Sequence, residues 1–269
     1  MDKAVILARG LGTRMRRQDP EAGLNPLQAE VAATGVKALI PIERPFLDYV
    51  LSALAAAGYR RICLVVGPEH EELRRYYGHT LEYQRLELGF ALQEKPLGTA
   101  DAVAAAESFT AGEPFLVINS DNYYPIAALE SLRALQGPGL AAFSRAGMLE
   151  GSNIPPERLS RFAIVEVDEQ GCLRRIVEKP DPGLLASLPE PVAVSMNCWR
   201  FDQGIFPACR AVTPSPRGEL ELPDAVQYAA EVLGQRFQVL LCDEAVLDLS
   251  SRADVEPVAA RLAGLQVRL

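Results

Sequence analysis

Short apolar runs alternate with helix-like segments through the first half of the chain. Polar or turn-forming residues bound each run, which is typical of a buried strand. The predicted strands are Lys3–Ala8, Arg61–Val66, Glu87–Gln93 and Phe115–Asn119, and the predicted helices between them are Pro45–Gly58, Pro68–Tyr77 and Thr99–Phe109. This alternation predicts an α/β fold with a Rossmann-like, mostly parallel sheet and helices on both faces.

The second half of the chain has a different pattern. Arg161–Val167 and Cys172–Glu178 flank a DEQG turn, which predicts an antiparallel hairpin and therefore a mixed sheet. Further predicted elements are a strand at Val192–Phe201, a helix from about Asp202, a helix at Leu222–Leu233, a strand at Phe237–Cys242 and a helix at Arg252–Leu262. We find no internal repeat and no flexible linker, so we expect one domain over residues 1–269.

Two segments lack a clear pattern of either kind. Arg17–Val36 is polar and irregular at its start, and Arg145–Ser160 is rich in Gly, Ser and Pro. Both are predicted to be long loops, and long loops beside a ligand site often act as lids.

Composition narrows the class of protein. A net charge of −8 argues against nucleic acid as the main partner, because phosphate backbones require a basic face. The N-terminal apolar run is too short for a signal peptide, and no stretch is long enough for a membrane span. The five cysteines form no CxxC pair, which predicts buried free thiols in a reducing cytoplasm rather than a zinc site.

The first chemical signal is the turn Leu7-Ala8-Arg9-Gly10-Leu11-Gly12-Thr13-Arg14 after the first strand. Glycines there let backbone N–H groups approach phosphates closely. A Rossmann fingerprint would need a third glycine at Met15, and the Gly-Lys-Ser/Thr of a Walker loop is absent. The cations are instead Arg14 and, further along, Lys37.

At this point the chain resembles the sugar-phosphate nucleotidyltransferase family, which includes the glucose-1-phosphate thymidylyl-, uridylyl- and adenylyltransferases. Similar segments follow one another in the family's order over most of the chain. They are GxGTR at Gly10–Arg14, KALIPI from Lys37, QEKPLGTA at Gln93–Ala100, NSDN at Asn119–Asn122, EKP at Glu178–Pro180, Asn197, GELELPD at Gly218–Asp224 and LDL at Leu247–Leu249. Together these segments are far more specific than any one of them.

The resemblance implies a GT-A-like nucleotidyltransferase fold and a reaction. A sugar 1-phosphate would attack the α-phosphorus of an NTP to give a nucleotide-sugar and pyrophosphate. The nucleophile is already an anion, so the protein has to align two polyanions and neutralise charge rather than supply a base. Residues 1–140, approximately, would form the nucleotide-binding half, and about 141–269 the sugar-phosphate-binding half.

The resemblance also implies roles for individual residues. Mg²⁺ is expected on Asp121 and Asp248. Arg14 is expected on the triphosphate, Lys37 near the α-phosphate and Lys179 on the sugar phosphate. Glu178 and Asn197 would bind sugar hydroxyls, and the remaining nucleotide contacts are assigned to Ala8, Gly10, Gly12, Thr13, Gln93, Gly98 and Thr99.

Several alternatives stay open. Arg9 stands where relatives usually have Gly or Ala, and it could either contact a phosphate or point outward; Ser120 replaces a glycine. Ala163 also replaces a glycine, and together with the Arg145–Ser160 loop it leaves an alditol or cyclitol phosphate open as the acceptor. A catalytically silent, regulatory homologue is a further alternative, and oligomerisation, which is common in the family, leaves a homo-oligomer open.

Two features of the sequence favour different nucleobases. The Gln93 amide favours uracil or thymine, because it offers both a donor and an acceptor to a base edge. Gly98–Val103 resembles the loop of adenylyltransferases, and guanylyltransferases carry a related GTA. We weight the glutamine more heavily, so UTP or dTTP is the expected substrate.

Overall fold

A single mixed sheet organises the molecule in this computed structural model, which describes residues 1–188 and 190–269. Within those residues nine strands form one sheet. They are β1 (Lys3–Leu7), β2 (Arg61–Val66), β3 (Glu87–Leu92), β4 (Phe115–Asn119), β6 (Gly139–Ser144), β7 (Ile164–Val167), β8 (Leu173–Val177), β9 (Ala193–Phe201) and β10 (Gln238–Cys242). A separate two-stranded sheet pairs β5 (Asn122–Tyr123) with β11 (Leu247–Asp248).

The strand order creates a crevice at one edge of the large sheet. The order is β10-β6-β9-β4-β1-β2-β3, and β1 pairs in parallel with both β2 and β4. The chain therefore moves outward from β1 in both directions, and the carboxyl ends of β1 and β4 flank the point of reversal. Ligands of open α/β sheets bind at such points. Strand β9 is antiparallel to both β4 and β6, and the β7–β8 hairpin attaches to it.

Helices cover both faces of the sheet, as predicted. They are α1 (Thr13–Arg16), α2 (Pro26–Thr34), α3 (Phe46–Ala56), α4 (Glu71–Arg75), α5 (Thr99–Ala105), α6 (Glu107–Thr110), α7 (Ile126–Ala134), α8 (Arg145–Gly151), α9 (Pro156–Leu159), α10 (Pro182–Ser187), α11 (Ile205–Ala211), α12 (Leu222–Glu231) and α13 (Val255–Leu262). None of the described helices is both long enough and apolar enough to cross a membrane.

The alternation of side chains along the strands builds two cores. Ala4 and Ile6 of β1 face a core that also contains α3 and α7, whereas Val5 and Leu7 face a core with α5, α11 and α12. Both faces of the central strands are therefore buried, which explains why their sequences are continuously apolar.

Two predicted loops are wrong in part, because both contain helices. Arg17–Val36 includes α2, which begins at the capping box of Asn25 and Gln28 and ends at Gly35 in the left-handed region (φ 78°). These capping signals were present in the sequence. Arg145–Ser160 contains α8 and α9, and the Ser144 side chain caps α8.

Smaller differences lie at element ends. The helix predicted at Thr99–Phe109 breaks at Ala106 into α5 and α6, and the one at Pro68–Tyr77 begins only at Glu71 and continues as a π-helical turn, Tyr76–Thr80. Strands β5, β6 and β11 and helix α7 were not predicted.

Candidate active site

A cleft opens at the crevice between the ends of β1 and β4. Its first part is a cavity of about 200 Å³. The lining residues are Leu7, Ala8, Gly10, Gly35, Val36, Lys37, Ala38, Thr99, Asn119, Ser120, Asp121 and Asn197. Six residues predicted for the site, Ala8, Gly10, Lys37, Thr99, Asp121 and Asn197, thus share one cavity although the chain separates them widely.

The glycine turn forms one wall of the cleft and is fixed from behind. Gly12 is in the left-handed region (φ 60°), and a Cβ there would overlap the carbonyl oxygen of Gly35. Arg16 Nε donates to the Thr34 carbonyl (3.0 Å). The end of α2 is therefore packed on the turn. A Cβ added at Gly10, by contrast, would meet no atom within 4 Å, so the Gly10 backbone is open to the cleft.

Lys37 and Asp121 form an ion pair inside this cavity. Lys37 Nζ lies 2.6 Å from Asp121 Oδ2, and the side chains of Lys37 and Asp121 are 14% and 21% exposed. Lys37 begins a short 3₁₀ turn, and Asp121 follows β4 after Ser120. Lys37 is a partly buried cation, and Asp121 is a carboxylate just beyond a strand end. Beside a glycine turn, such a pair is suited to bind phosphate and metal.

Asp248 lies behind Asp121 and is almost fully buried. The backbone N–H of Leu249 donates to the Asp121 carbonyl (2.8 Å), which keeps β11 against the residues that follow β4. The Asp248 carboxylate accepts hydrogen bonds from Asn122 Nδ2 (2.9 Å), Ser250 Oγ (3.1 Å) and Arg158 Nη2 (3.0 Å). Burial, together with the negative charge of Asp121, raises the pKa of Asp248 well above the usual carboxyl range.

Sequence reasoning missed the residues that hold Asp248. Arg158 also pairs with Asp254 (2.7 Å), and Asn153 both donates to the Asp248 carbonyl and accepts its N–H, each at 2.8 Å. Arg158 and Asn153 belong to the segment predicted as a long loop, Arg145–Ser160. Through these two residues the segment holds the late aspartate in place.

Gln93 lies in a second part of the cleft, a cavity of about 150 Å³ that shares Leu7, Gly10 and Thr99 with the first. Its Nε2 donates to the Gly98 carbonyl (3.0 Å) and to Asp101 Oδ2 (2.7 Å). Among the described residues none donates to the Gln93 Oε1. The side chain therefore presents an acceptor to the cavity, and its donors are already used.

Gly98 and Thr99 are tied to the GELE segment. The Ala100 N–H donates to the Leu220 carbonyl (2.9 Å), and Thr99 Oγ1 accepts from the Leu222 N–H (2.8 Å). Gly98 has φ 124°, and a Cβ there would overlap the backbone of Leu220. Glycine is thus required by this close approach of two backbones.

Gly98→Ala is expected to destabilise the fold by at least about 2 kcal/mol, because the strained backbone and the overlap add to each other. It should also raise the NTP KM, since the loop carrying Thr99 must move. Urea unfolding and steady-state kinetics measure the two effects. Gly89→Ala in β3 is the matched control, because a Cβ there meets nothing within 4 Å; similar losses in both variants would refute this role of Gly98.

Asn197 reaches the cleft through an irregularity in β9. The pairing of β9 with β6 shifts register between Ala141 and Ala142, and Asn197 there has φ 53°. Asparagine tolerates this conformation, and a bulge re-aims a side chain. Among the residues that the structure describes, its Oδ1 accepts one hydrogen bond, a long one from Trp199 Nε1 (3.4 Å).

Glu178 and Lys179 do not line the described cavities around Asp121 or Gln93. They follow β8, with Lys179 in the left-handed region (φ 45°). Partial burial and the negative charges of Glu221 and Asp224 raise the pKa of Glu178. Glu178 and Lys179 are therefore separate from the Lys37–Asp121 cavity, whereas Asn197, the third residue predicted to bind the sugar, lines it.

Arg9 does not point into solvent, which was one of the two alternatives its sequence position offered, and it lines the cavity around Gln93. It is 8% exposed, and its Nη2 donates to Glu69 and to the Glu94 carbonyl, both at 3.3 Å. Arg14 and Thr13 are exposed on α1. Arg14 lines a different cavity from Lys37.

A family model described as nucleotidyl transferase matches residues 3–245 of this chain. The chain belongs to the nucleotidyl transferase family. Among curated relatives of this nucleotidyl transferase, a glucose-1-phosphate thymidylyltransferase of Streptomyces griseus is 30% identical over 227 residues, which cover 84% of this chain and 56% of the relative. The low-salt glycan biosynthesis nucleotidyltransferase Agl11 of Haloferax volcanii is 27% identical over 85% of this chain and 57% of its own length. The chain therefore spans just over half the length of these relatives.

Other comparisons extend over whole chains. The UTP–glucose-1-phosphate uridylyltransferase AglF of Haloferax volcanii is 25% identical, covering 97% of this nucleotidyl transferase and 96% of AglF. A crystal structure of UDP-glucose pyrophosphorylase complexed with UDP-glucose superposes with a TM-score of 0.73 at 19% identity, covering 97% of this chain and 98% of the other. This likeness shows that the nucleotidyltransferase fold is shared, as the sequence predicted.

Proposed function

We propose that this protein joins a sugar 1-phosphate to an NTP and releases pyrophosphate. The observation that carries the proposal is the Lys37–Asp121 ion pair in the cavity beside the Gly10 turn. A cation and a carboxylate beside a glycine turn at the crevice support the assignment of the α-phosphate to this cavity. Family membership and the relatives named above support the same reaction.

The chemistry assigned to the chain's own residues is alignment and charge neutralisation. Lys37 would stabilise the charge that accumulates around the α-phosphorus, and the backbone at Gly10 would donate to phosphate oxygens. Asn197 would orient a sugar hydroxyl from the same cavity. Glu178 and Lys179 are proposed to hold the sugar phosphate from the exit of β8.

The donor set fits a magnesium ion held jointly with substrate phosphates. Among the described residues no three His, Cys, Asp or Glu side chains form a complete cage. Mg²⁺ uses one or two carboxylates and completes its shell with water and phosphate. Burial and the negative charge of Asp121 raise the Asp248 pKa, and a divalent cation would relieve the repulsion between the two carboxylates. A bound Mg²⁺ would supply Lewis-acid stabilisation of the transferring phosphoryl group.

The preferred base is proposed to be uracil or thymine. Gln93 Oε1 is the free acceptor in the second cavity, and it can accept from the N3–H of either base. Cytosine lacks the N3–H, but its N4 amino group, the adenine N6 amino group and the guanine N1–H are also donors, so the acceptor alone does not select the base. Relatives named thymidylyltransferase and uridylyltransferase are consistent with this choice.

The test is a panel of each NTP against several sugar 1-phosphates and an alditol phosphate, with pyrophosphate release as the readout. UTP or dTTP is expected to give the highest kcat/KM. In Gln93→Ala, that preference should fall by about 10-fold or more, because a base donor would lose its partner. A preference for ATP or GTP that Gln93→Ala leaves intact would refute the base assignment, and no release with any pair would refute the reaction and favour a silent, regulatory homologue.

A cytoplasmic location and a single functional domain are parts of the same proposal. All five cysteines are free, and Cys63, Cys198 and Cys209 are buried, which is consistent with a reducing compartment. The two proposed halves share the β4–β9 pairing, so they would act as one unit.

A further inference from the structure

A third cavity, of about 310 Å³, lies between α1 and the turn after β11. It is lined by Arg14, Arg17, Gln18, Asp19, Ser251 and Arg252. Three of the six residues are arginines, and one is an aspartate, so the cavity has a net positive charge. The Asp19 carboxylate also accepts from the Glu21 N–H (3.1 Å), which fixes it as a local cap.

Arg252 is the unusual member of this set. Its side chain is 4% exposed, and its Nε donates to the Met15 carbonyl (3.0 Å). Its Nη2 is buried and has no hydrogen-bond partner among the described residues. Burying a guanidinium that pairs with no carboxylate costs free energy, unless a bound anion takes the carboxylate's place.

The two neighbouring arginines, Arg14 and Arg17, are also available to bind an anion. Among the residues that the structure describes, neither Arg14 nor Arg17 enters an ion pair, and both are exposed. Guanidinium groups bind phosphate oxygens through two parallel N–H donors. Three of them around one cavity provide a site for a polyanion with several phosphate oxygens.

Two residues of this cavity are close in the chain to residues of the proposed reaction centre. Arg14 follows the buried Gly12 of the phosphate turn by two positions, and Arg252 follows Asp248 by four. The Arg252–Met15 hydrogen bond holds these two elements together. A triphosphate whose α-phosphate lies at Lys37 could therefore extend into this cavity.

We propose that Arg17 and Arg252, with Arg14, bind the β- and γ-phosphates of the NTP and the pyrophosphate that leaves. This proposal rests on the proposed nucleotidyl transfer, and it adds two residues that the family resemblance did not assign. Arg252 positions the polyphosphate from within the fold, and Arg17 contributes from the exposed rim.

Binding of inorganic pyrophosphate and of UMP to the full chain, measured by calorimetry with Mg²⁺ present, tests the proposal without turnover. Arg252→Gln is expected to weaken pyrophosphate binding by about 10-fold or more and to leave UMP binding unchanged, because UMP lacks the β- and γ-phosphates. Arg252→Lys should restore part of the affinity. Arg17→Gln, at an exposed position that does not threaten folding, should weaken pyrophosphate binding by a smaller factor.

Arg75→Gln is the matched control, because Arg75 is an exposed arginine of α4 that lines none of these cavities. Unchanged pyrophosphate affinity in Arg17→Gln and Arg252→Gln, or an equal loss for UMP, would overturn the proposal. If pyrophosphate affinity falls as expected but no substrate pair reacts, the phosphate site stands and the proposed reaction fails. If the reaction proceeds and pyrophosphate affinity is unchanged, the phosphate site alone fails.

Discussion

Asp121→Asn is expected to lower kcat by about 1,000-fold or more while the protein remains folded. A Mg²⁺ ion held by Asp121 would supply several kcal/mol of transition-state stabilisation, and about 4 kcal/mol corresponds to this factor. The asparagine keeps the shape of the side chain, which is 21% exposed in the cleft, so no cavity is created. Pyrophosphate release at saturating substrates, with unfolding followed in parallel, measures both effects.

The same experiment has an internal comparison. EDTA should abolish the activity of the unmodified protein to a similar extent. Asp243→Asn, which changes an exposed carboxylate outside the cleft, should leave kcat within about twofold. Turnover near the unmodified level in Asp121→Asn would show that Asp121 serves only as the partner of Lys37.

Lys179→Ala is expected to raise the KM for the sugar 1-phosphate by about 10- to 100-fold and to change the NTP KM little. A charge-assisted contact to phosphate has this order of effect on affinity. Lys179 follows β8 and lies away from the Gln93 cavity, so the nucleotide should not be affected. Initial rates with each substrate varied in turn separate the two constants.

The chain contains its own control for this variant. Lys95 occupies a second Glu-Lys-Pro sequence, Glu94–Pro96, and is also exposed. Lys95→Ala should leave the sugar-phosphate KM unchanged. If Lys179→Ala raises both KM values equally, the lysine is structural or contacts the triphosphate.

The sequence predicted the central sheet because burial on both faces forces continuous apolar runs. Strand β1 shows this directly, with Ala4 and Ile6 in one core and Val5 and Leu7 in the other. Helix α2 was missed because its stability comes from caps and from packing against the glycine turn rather than from an apolar stripe.

The site was predictable where a residue lies at a strand end, as Asp121 does after β4. Lys37 lies in a 3₁₀ turn instead, and its ion pair with Asp121 was not predicted. The support of Asp248 by Arg158 could not be predicted, because the two are 90 positions apart and the pairing depends on where α9 packs. Nor could the sequence show that Asp101 uses the donors of Gln93, which reduces a two-way hydrogen-bonding group to an acceptor.

The contacts of Gly98 and Thr99 with Leu220 and Leu222 have a consequence for changing the substrate range. Hydrogen bonds from the Ala100 N–H to the Leu220 carbonyl and from the Leu222 N–H to Thr99 Oγ1 join the proposed base-reading loop to the start of α12. Glu221, at the start of α12, lies near Glu178, and its negative charge adds to burial in raising the pKa of Glu178. Variants selected for a new sugar through residues 218–224 would therefore also shift the base pocket, and the two selectivities would have to be evolved together.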